Sequence, residues 1–219
     1  MVKHVRTNTS HEMPSHFKPS DTRKPKTPKV TNRVRIIGGT WRSRVIEFPD
    51  ADGLRPTADR VRETLFNWLG QTLHGKRCLD LFSGSGALGF EAASRGATAT
   101  IMLELHHPAI DALKQNQQKL AATSCRIVAT DTLKFLDTCR EKFDIVFADP
   151  PFTSGLLPAI LRKLPEILDE GGVVYAEWGE PIAGVLANLP AAQWVIVKQG
   201  RAGAVHFALI KVSDASDAK

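Results

Sequence analysis

Hydrophobic positions are sparse and aperiodic over residues 1 to about 32 and become patterned from Arg33 onward. Val34-Arg35-Ile36-Ile37, then Gly38-Gly39, then Trp41-Arg42-Ser43-Arg44-Val45-Ile46 predicts two strands about a Gly-Gly turn. In an extended second strand Trp41, Ser43 and Val45 share one face, and Arg42, Arg44 and Ile46 the other. A turn-rich stretch from Pro49 to Pro56 follows. Val61, Leu65, Trp68 and Leu69 then recur at helical spacing, with Arg60, Arg62, Glu63 and Asn67 largely off that face. Thr57 is placed to cap this helix, and Asp59 complements its dipole.

After Gly75 strands and helices alternate. Strands are predicted over residues 78–82, 100–104, 126–129, 143–148 and 173–177, with helices over about 87–94, 108–121, 132–138 and 156–168. Two strand-like segments, 193–198 and 204–211, close the pattern through a turn at 200–203. Such an order predicts an α/β fold of the Rossmann-like kind: a mostly parallel sheet ending in an antiparallel hairpin. Three regions are expected: a flexible basic arm (1–32), an N-terminal β-hairpin and linker (33–56), and the main α/β domain (57–219).

Composition narrows the class. With 219 residues, 42% hydrophobic and 24% charged, the chain is neither disordered nor a disulfide-stapled miniature. It contains no run of 18 apolar residues. Cys78, Cys125 and Cys139 lack metal-site spacing, Cys78 reads as a core residue, and a reducing, cytoplasmic setting is expected. The seven histidines show no ligand spacing either, so no metal is expected. Charge is localised: residues 1–44 hold 11 Lys or Arg against Glu12 and Asp21, whereas the remaining 175 residues carry 18 basic and 21 acidic groups. The amino-terminal part is thus suited to a polyanion.

Two motifs carry chemistry. Gly84-x-Gly86-x-x-Gly89 joins the first strand of the alternating region to its helix, and Glu104 ends the next strand. Glycines let backbone approach a ligand, and a strand-end carboxylate can bind two ribose hydroxyls. Those roles suit NAD, FAD or S-adenosylmethionine (SAM). Asp80, four positions before the first loop glycine, favours SAM, whose ammonium it could hold, over a pyrophosphate it would repel. The second motif, Asp149-Pro150-Pro151-Phe152, follows the fourth strand of that region. Two prolines stiffen the chain and present carbonyls. Asp149 and the Pro150 carbonyl could accept both hydrogens of an exocyclic amino group, freeing its lone pair for attack on a methyl group. Phe152 could stack on the extruded base.

At these residues the chain resembles the DPPY-type amino methyltransferases, and more narrowly the RsmD family of 16S ribosomal RNA guanine-N2 methyltransferases. The resemblance runs from about Arg33 to Lys211. It is carried by Arg35-Ile36-Ile37-Gly38-Gly39-x-Trp41-Arg42, by the stretch Leu54-Arg55-Pro56-Thr57 through Trp68, by Leu79-Asp80 through Gly89, and by Asp149–Phe152. It implies a class I SAM-dependent methyltransferase fold and transfer to the 2-amino group of one guanine, the position called 966. It further implies that Asp80, Gly84 and Gly86 line the methionine part of SAM, that Glu104 takes the ribose, and that Asp131 lies near the adenine. Arg55-Pro56-Thr57 would close over the methionine carboxylate, and Phe82 would support the loop or pack in the core. Ser85, Leu105 and Thr132 complete the cofactor set on the same resemblance, and Asp149 borders it. His106 departs from the family, which often has Asp there.

The implied partner is 16S rRNA or a small ribosomal subunit particle, with the enzyme acting as a monomer away from membranes. Expected RNA contacts are Arg33, Arg35, Arg42 and Arg44, with Lys198 and Arg201 beside the same cleft. Trp41 would stack on a base or anchor the hairpin. Rival readings are a DNA adenine-N6 or protein-amide methyltransferase, which leaves 54–68 unexplained, and a nicotinamide-dependent oxidoreductase, which leaves Asp149–Phe152 unexplained. A non-enzymatic RNA-binding protein would need only the basic N-terminus.

Overall fold

An antiparallel hairpin, β1 (Val30–Arg35) with β2 (Val45–Pro49), precedes helix α1 (Asp59–Leu69) in the computed structural model, which describes residues 1–2, 30–50, 57–189 and 194–213. The alternating region then gives β3 (Arg77–Asp80), α2 (Ala87–Ser94), β4 (Ala99–Glu104), α3 (His107–Leu120), β5 (Cys125–Ala129), α4 (Thr132–Thr138) and β6 (Phe143–Ala148). It continues with α5 (Leu157–Lys163), β7 (Leu168–Trp178), α6 (Ile182–Ala187), β8 (Trp194–Ala202) and β9 (Val205–Val212). The main sheet runs β5-β4-β3-β6-β7-β9-β8. Its first five strands are parallel, and β9 is antiparallel to both β7 and β8. The chain winds outward from β3 to β5 and then crosses back to β6, so the carboxyl ends of β3 and β6 flank a topological switch point.

Alternation along the strands divides the core. Leu79, Leu81, Val146, Ala148, Val174 and Ala176 face α4, α5 and α6. Cys78, Ile145, Phe147, Tyr175, Phe207 and Leu209 face α1 and α2. On the latter side the hairpin adds Val34, Ile36, Ile46 and Phe48 against Phe90, Met102 and Leu113, so it shares a core with α2 and α3. Cys78 is a buried core residue as expected, and burial pushes its thiol up to about 12.

Several elements differ from expectation. The hairpin strands lie further apart in sequence than 34–37 and 41–46. Residues 40–43 form a turn, with Gly39 at φ +74° and Ser43 at φ +68°, so the proposed facing of Trp41, Ser43 and Val45 does not exist. A side chain at Gly39 would strike the Ser94 carbonyl, where the turn rests on the end of α2. The expected arm lies mostly outside the described residues, but 30–32 belong to β1. Thr57 does not cap α1; Ala58 occupies that position without a side-chain hydrogen bond.

Arg62 is buried rather than off the apolar face. Its guanidinium reaches Asp59 Oδ1 at 2.7 Å, the Arg35 carbonyl at 2.8 Å and Glu91 Oε2 at 3.5 Å. The helix expected over 156–168 stops at Lys163. Pro165 sits in a 3-10 turn, Leu164–Glu166, because it has no N–H to continue an α-helix. Strand β7 therefore starts at Leu168, five residues earlier than expected. The C-terminal turn is Gly203-Ala204, not 200–203, because Gly203 supplies the positive φ that a two-residue turn requires. The expected start of the penultimate strand at 193 lies outside the described residues. Helix α6 carried no signal that was read.

Candidate active site

The site lies at the carboxyl edge of β3, β4, β6 and β7. Gly86 holds a left-handed conformation, φ +83°, at the head of α2, and a side chain there would collide with Phe90 and Leu113. Asp80 is buried at the end of β3, and its Oδ2 accepts the Gly89 N–H at 3.1 Å. Burial pushes this carboxyl up to about 7, against hydrogen bonds from Phe82, Gly89 and Ser83 and with a further push from Glu104. Glu104 ends β4 and grips the backbone around it. Oε2 accepts Gly84 N–H at 2.8 Å, and Oε1 accepts the N–H groups of Leu105 and His106, each at 2.8 Å.

Leu105 projects from this corner, 65% exposed. Ser85 is buried, and its hydroxyl accepts the Ala87 N–H at 3.3 Å. Phe82 is partly buried and packs against the core beneath the loop. Asp131 caps α4 by accepting the Lys134 N–H at 3.0 Å, whereas the buried Thr132 hydroxyl donates to the Leu81 carbonyl at 2.7 Å. Thr132 therefore ties α4 to the end of β3. His106 heads α3 through its backbone alone, without the side-chain cap that Asp could supply.

Asp149 leaves β6 across the switch point from Asp80. Its Oδ2 accepts the Thr57 hydroxyl at 3.4 Å, so the approach to α1 comes down on the Asp-Pro-Pro-Phe motif. Part of Asp149 reaches solvent, yet its close surroundings desolvate the carboxyl and push it well above the ordinary range. The charges of Glu177 and then Asp80 add to that push, and Thr57 opposes it. Pro150 is buried and Pro151 exposed. The Pro151 carbonyl accepts Ser154 N–H at 2.8 Å, while no described residue donates to the Pro150 carbonyl. Phe152 stands outside the core, 39% exposed, with Trp178 at 6.0 Å between ring centroids and 66° between planes. Arg55 and Pro56 lie outside the described residues.

Two residues here went unread in the sequence. Trp178 and Glu177 end β7 beside the motif, and Glu177 is buried with its carboxyl raised by desolvation. A signal existed: an acid closing an apolar strand, in step with Tyr175, is the pattern already used for Glu104.

The expected RNA contacts divide. Arg201 pairs in register with His206, which lies opposite Trp178, so it stands at the site's edge; Lys198 is opposite Leu209, further down the sheet. The hairpin turn is elsewhere. Thr40 N–H donates to the Ser94 carbonyl at 2.7 Å, Trp41 N–H to Ser94 Oγ at 2.9 Å, and Arg44 Nη2 to the Lys119 carbonyl at 2.6 Å. Those acceptors end α2 and α3, which run back from the site, so Trp41, Arg42 and Arg44 lie at the amino edge of the sheet. Trp41 packs against the hairpin cluster as an anchor. Arg33 pairs with Glu47 at 3.4 Å, and Arg35 is exposed on β1.

A glycine loop, two strand-end acids and a Pro-Pro motif around the switch point of a seven-stranded sheet in this order define a class I methyltransferase. Residues 34–211 match the family described as Conserved hypothetical protein 95, and the chain belongs to it, the RsmD family that the sequence resembles. Ribosomal RNA small subunit methyltransferase D of Escherichia coli K12 is 40% identical over 182 residues, 82% of this chain and 90% of that protein. The protein of that name from Haemophilus influenzae is 38% identical over 195 residues, 85% and 98% of the two chains. The solved structure of Escherichia coli yhhF superposes with a TM-score of 0.73 at 37% identity, covering 83% of this chain and 98% of that one.

Proposed function

We propose that this protein transfers a methyl group from S-adenosylmethionine to the exocyclic N2 amino group of one guanine in small-subunit ribosomal RNA. The observation that carries this reading is Asp149-Pro150-Pro151-Phe152 at the switch point, facing the glycine loop across the carboxyl ends of β6 and β3. The names of the 38–40% identical relatives support rRNA as the acceptor class.

The residues present fit the cofactor. Gly84 and Gly86 keep side chains out of the space between two acids, the Glu104 carboxylate is fixed at a strand end, and Leu105 offers an exposed apolar face beside it. Asp80 would hold the ammonium, Glu104 the ribose hydroxyls, and Leu105 and Asp131 the adenine. When bound, the cofactor supplies a methyl group on an activated sulfonium, so the chain need only position and orient the nucleophile. Asp149 and the Pro150 carbonyl accept the two amino hydrogens, which turns the nitrogen lone pair out of conjugation with the base. Phe152, braced by Trp178, stacks on the flipped guanine. The proton lost from nitrogen passes to Asp149 or to water.

The test is labelled methyl transfer from SAM to small-subunit particles lacking the modification, followed by nucleoside analysis. N2-methylguanosine at one position is the expected product. Label on adenosine, or on protein, would sink the acceptor assignment. Asp149→Ala should retain RNA binding and lose transfer by about 100-fold or more.

A further inference from the structure

A second carboxyl group stands behind the catalytic motif. Ala148 of β6 pairs with Ala176 of β7 in parallel register, so the next residues, Asp149 and Glu177, emerge side by side. Both continue the face on which Phe147 and Tyr175 pack under α1. Glu177 is 5% exposed, and Tyr175 donates its phenolic O–H to Glu177 Oε1 at 2.6 Å. The Thr57 hydroxyl donates to Asp149 Oδ2 at 3.4 Å and also interacts with Glu177.

The remaining groups facing the pair bring no cation. β3 presents Asp80, and β9 presents Phe207 opposite Glu177 and, one position along, His206 opposite Trp178. Among the described residues no Lys or Arg forms an ion pair with either carboxyl, and no acidic group is arranged to hold a metal ion. Neighbouring carboxyls without a counter-charge do not both ionise cheaply, so a proton belongs to the pair rather than to either member.

Resting on the reading of Asp149 given above, we propose that Glu177 is its positioning residue: the two share one proton, and Glu177 takes it when the nucleobase arrives, leaving Asp149 as the carboxylate that accepts the amino hydrogens. Tyr175 fixes Glu177 in place, and Thr57 links the two carboxyls. Desolvation raises both groups, and for Asp149 the Glu177 charge is the next largest cause.

The test is the pH dependence of kcat/KM for methyl transfer, each profile read against its own plateau, with SAM binding measured to verify folding. Gln in Glu177→Gln has nearly the shape of protonated Glu and stays neutral at every pH. The alkaline limb, where the pair loses its shared proton, should therefore flatten. Tyr175→Phe, which removes the hydrogen bond that favours ionised Glu177, should move that limb to higher pH, and serves if the first variant does not fold. A limb that stays in place while activity drops evenly at every pH would leave Glu177 a merely structural residue and overturn the proposal. Asp149→Asn separates the two levels. Full transfer by that variant would overturn the reading of Asp149 itself, whereas loss of transfer with an unmoved Glu177→Gln limb would overturn only the role of Glu177.

Discussion

Phe152 stands outside the core, its ring partly in solvent and partly against the edge of Trp178. The stacking role proposed for it uses the open face. Base–aromatic stacking contributes about 1–3 kcal/mol. Phe152→Ala should therefore lower kcat/KM roughly 5- to 150-fold with SAM affinity unchanged, read by isothermal calorimetry beside the transfer assay. Asp80 makes a different prediction. Its folded carboxyl titrates near 7 against an ordinary 3.8, so it favours the folded state fully below about 4, and that contribution is lost as pH rises through 7. Asp80→Asn should flatten the decline in stability over that window. If the ionised form is what holds the ammonium, SAM affinity should fall by about tenfold per unit as pH drops below 7. Asp80 and Asp149 were legible in the sequence because each is an acid at a strand end beside a glycine or proline motif, and Glu104 because it closes the strand that follows the glycine loop. Glu177 and Trp178 close an apolar strand in the same way, ahead of Gly179 and Pro181, but only the pairing of β7 with β6 shows that they stand beside Asp149.

At the level of elements, α1 and the hairpin are set against the sheet by one buried acid. Glu91 in α2 accepts the Ile37 and Gly38 N–H groups at 2.8 Å each, the Arg95 Nε at 2.9 Å and the Arg62 Nη1 at 3.5 Å. Arg95 in turn lies over the Phe66 ring at 4.7 Å. Replacing Glu91 leaves the buried Arg95 guanidinium without its carboxylate and Arg62 with Asp59 alone. Glu91→Ala should destabilise the fold by ~3–5 kcal/mol, seen as a lower urea midpoint, and should make the 36–44 connection sensitive to protease. Strands and helices of the alternating region were readable because their apolar periods are clean, and 87–94, 132–138 and 143–148 end where expected. The connection 36–44 was not, because alternation at Trp41, Ser43 and Val45 imitates a strand while Gly39 and Ser43 adopt left-handed backbone. Arg62 defeated the helical reading for a related reason: a charge is placed outside by pattern and inside by partners that lie 27 and 29 residues away.

Across the whole molecule the two edges of the sheet differ in what they carry. The carboxyl edge gathers the glycine loop, the Asp-Pro-Pro-Phe motif and Arg201. β1 and β2 also point that way, since β2 leads through 51–56 to Thr57 beside Asp149. The amino edge carries Arg42 and Arg44. Arg201→Ala should weaken RNA binding more than Arg42→Ala does and lower the salt slope by about one, measured by filter binding over a salt series. Equal effects would mean that the RNA reaches both edges.

The turn at 40–43, seated on the end of α2 and facing away from the Asp-Pro-Pro-Phe motif, is consequently a handle. A fluorophore, affinity group or surface tether joined through Arg42→Cys would leave the carboxyl edge, where the proposed site lies, open even to a very large acceptor.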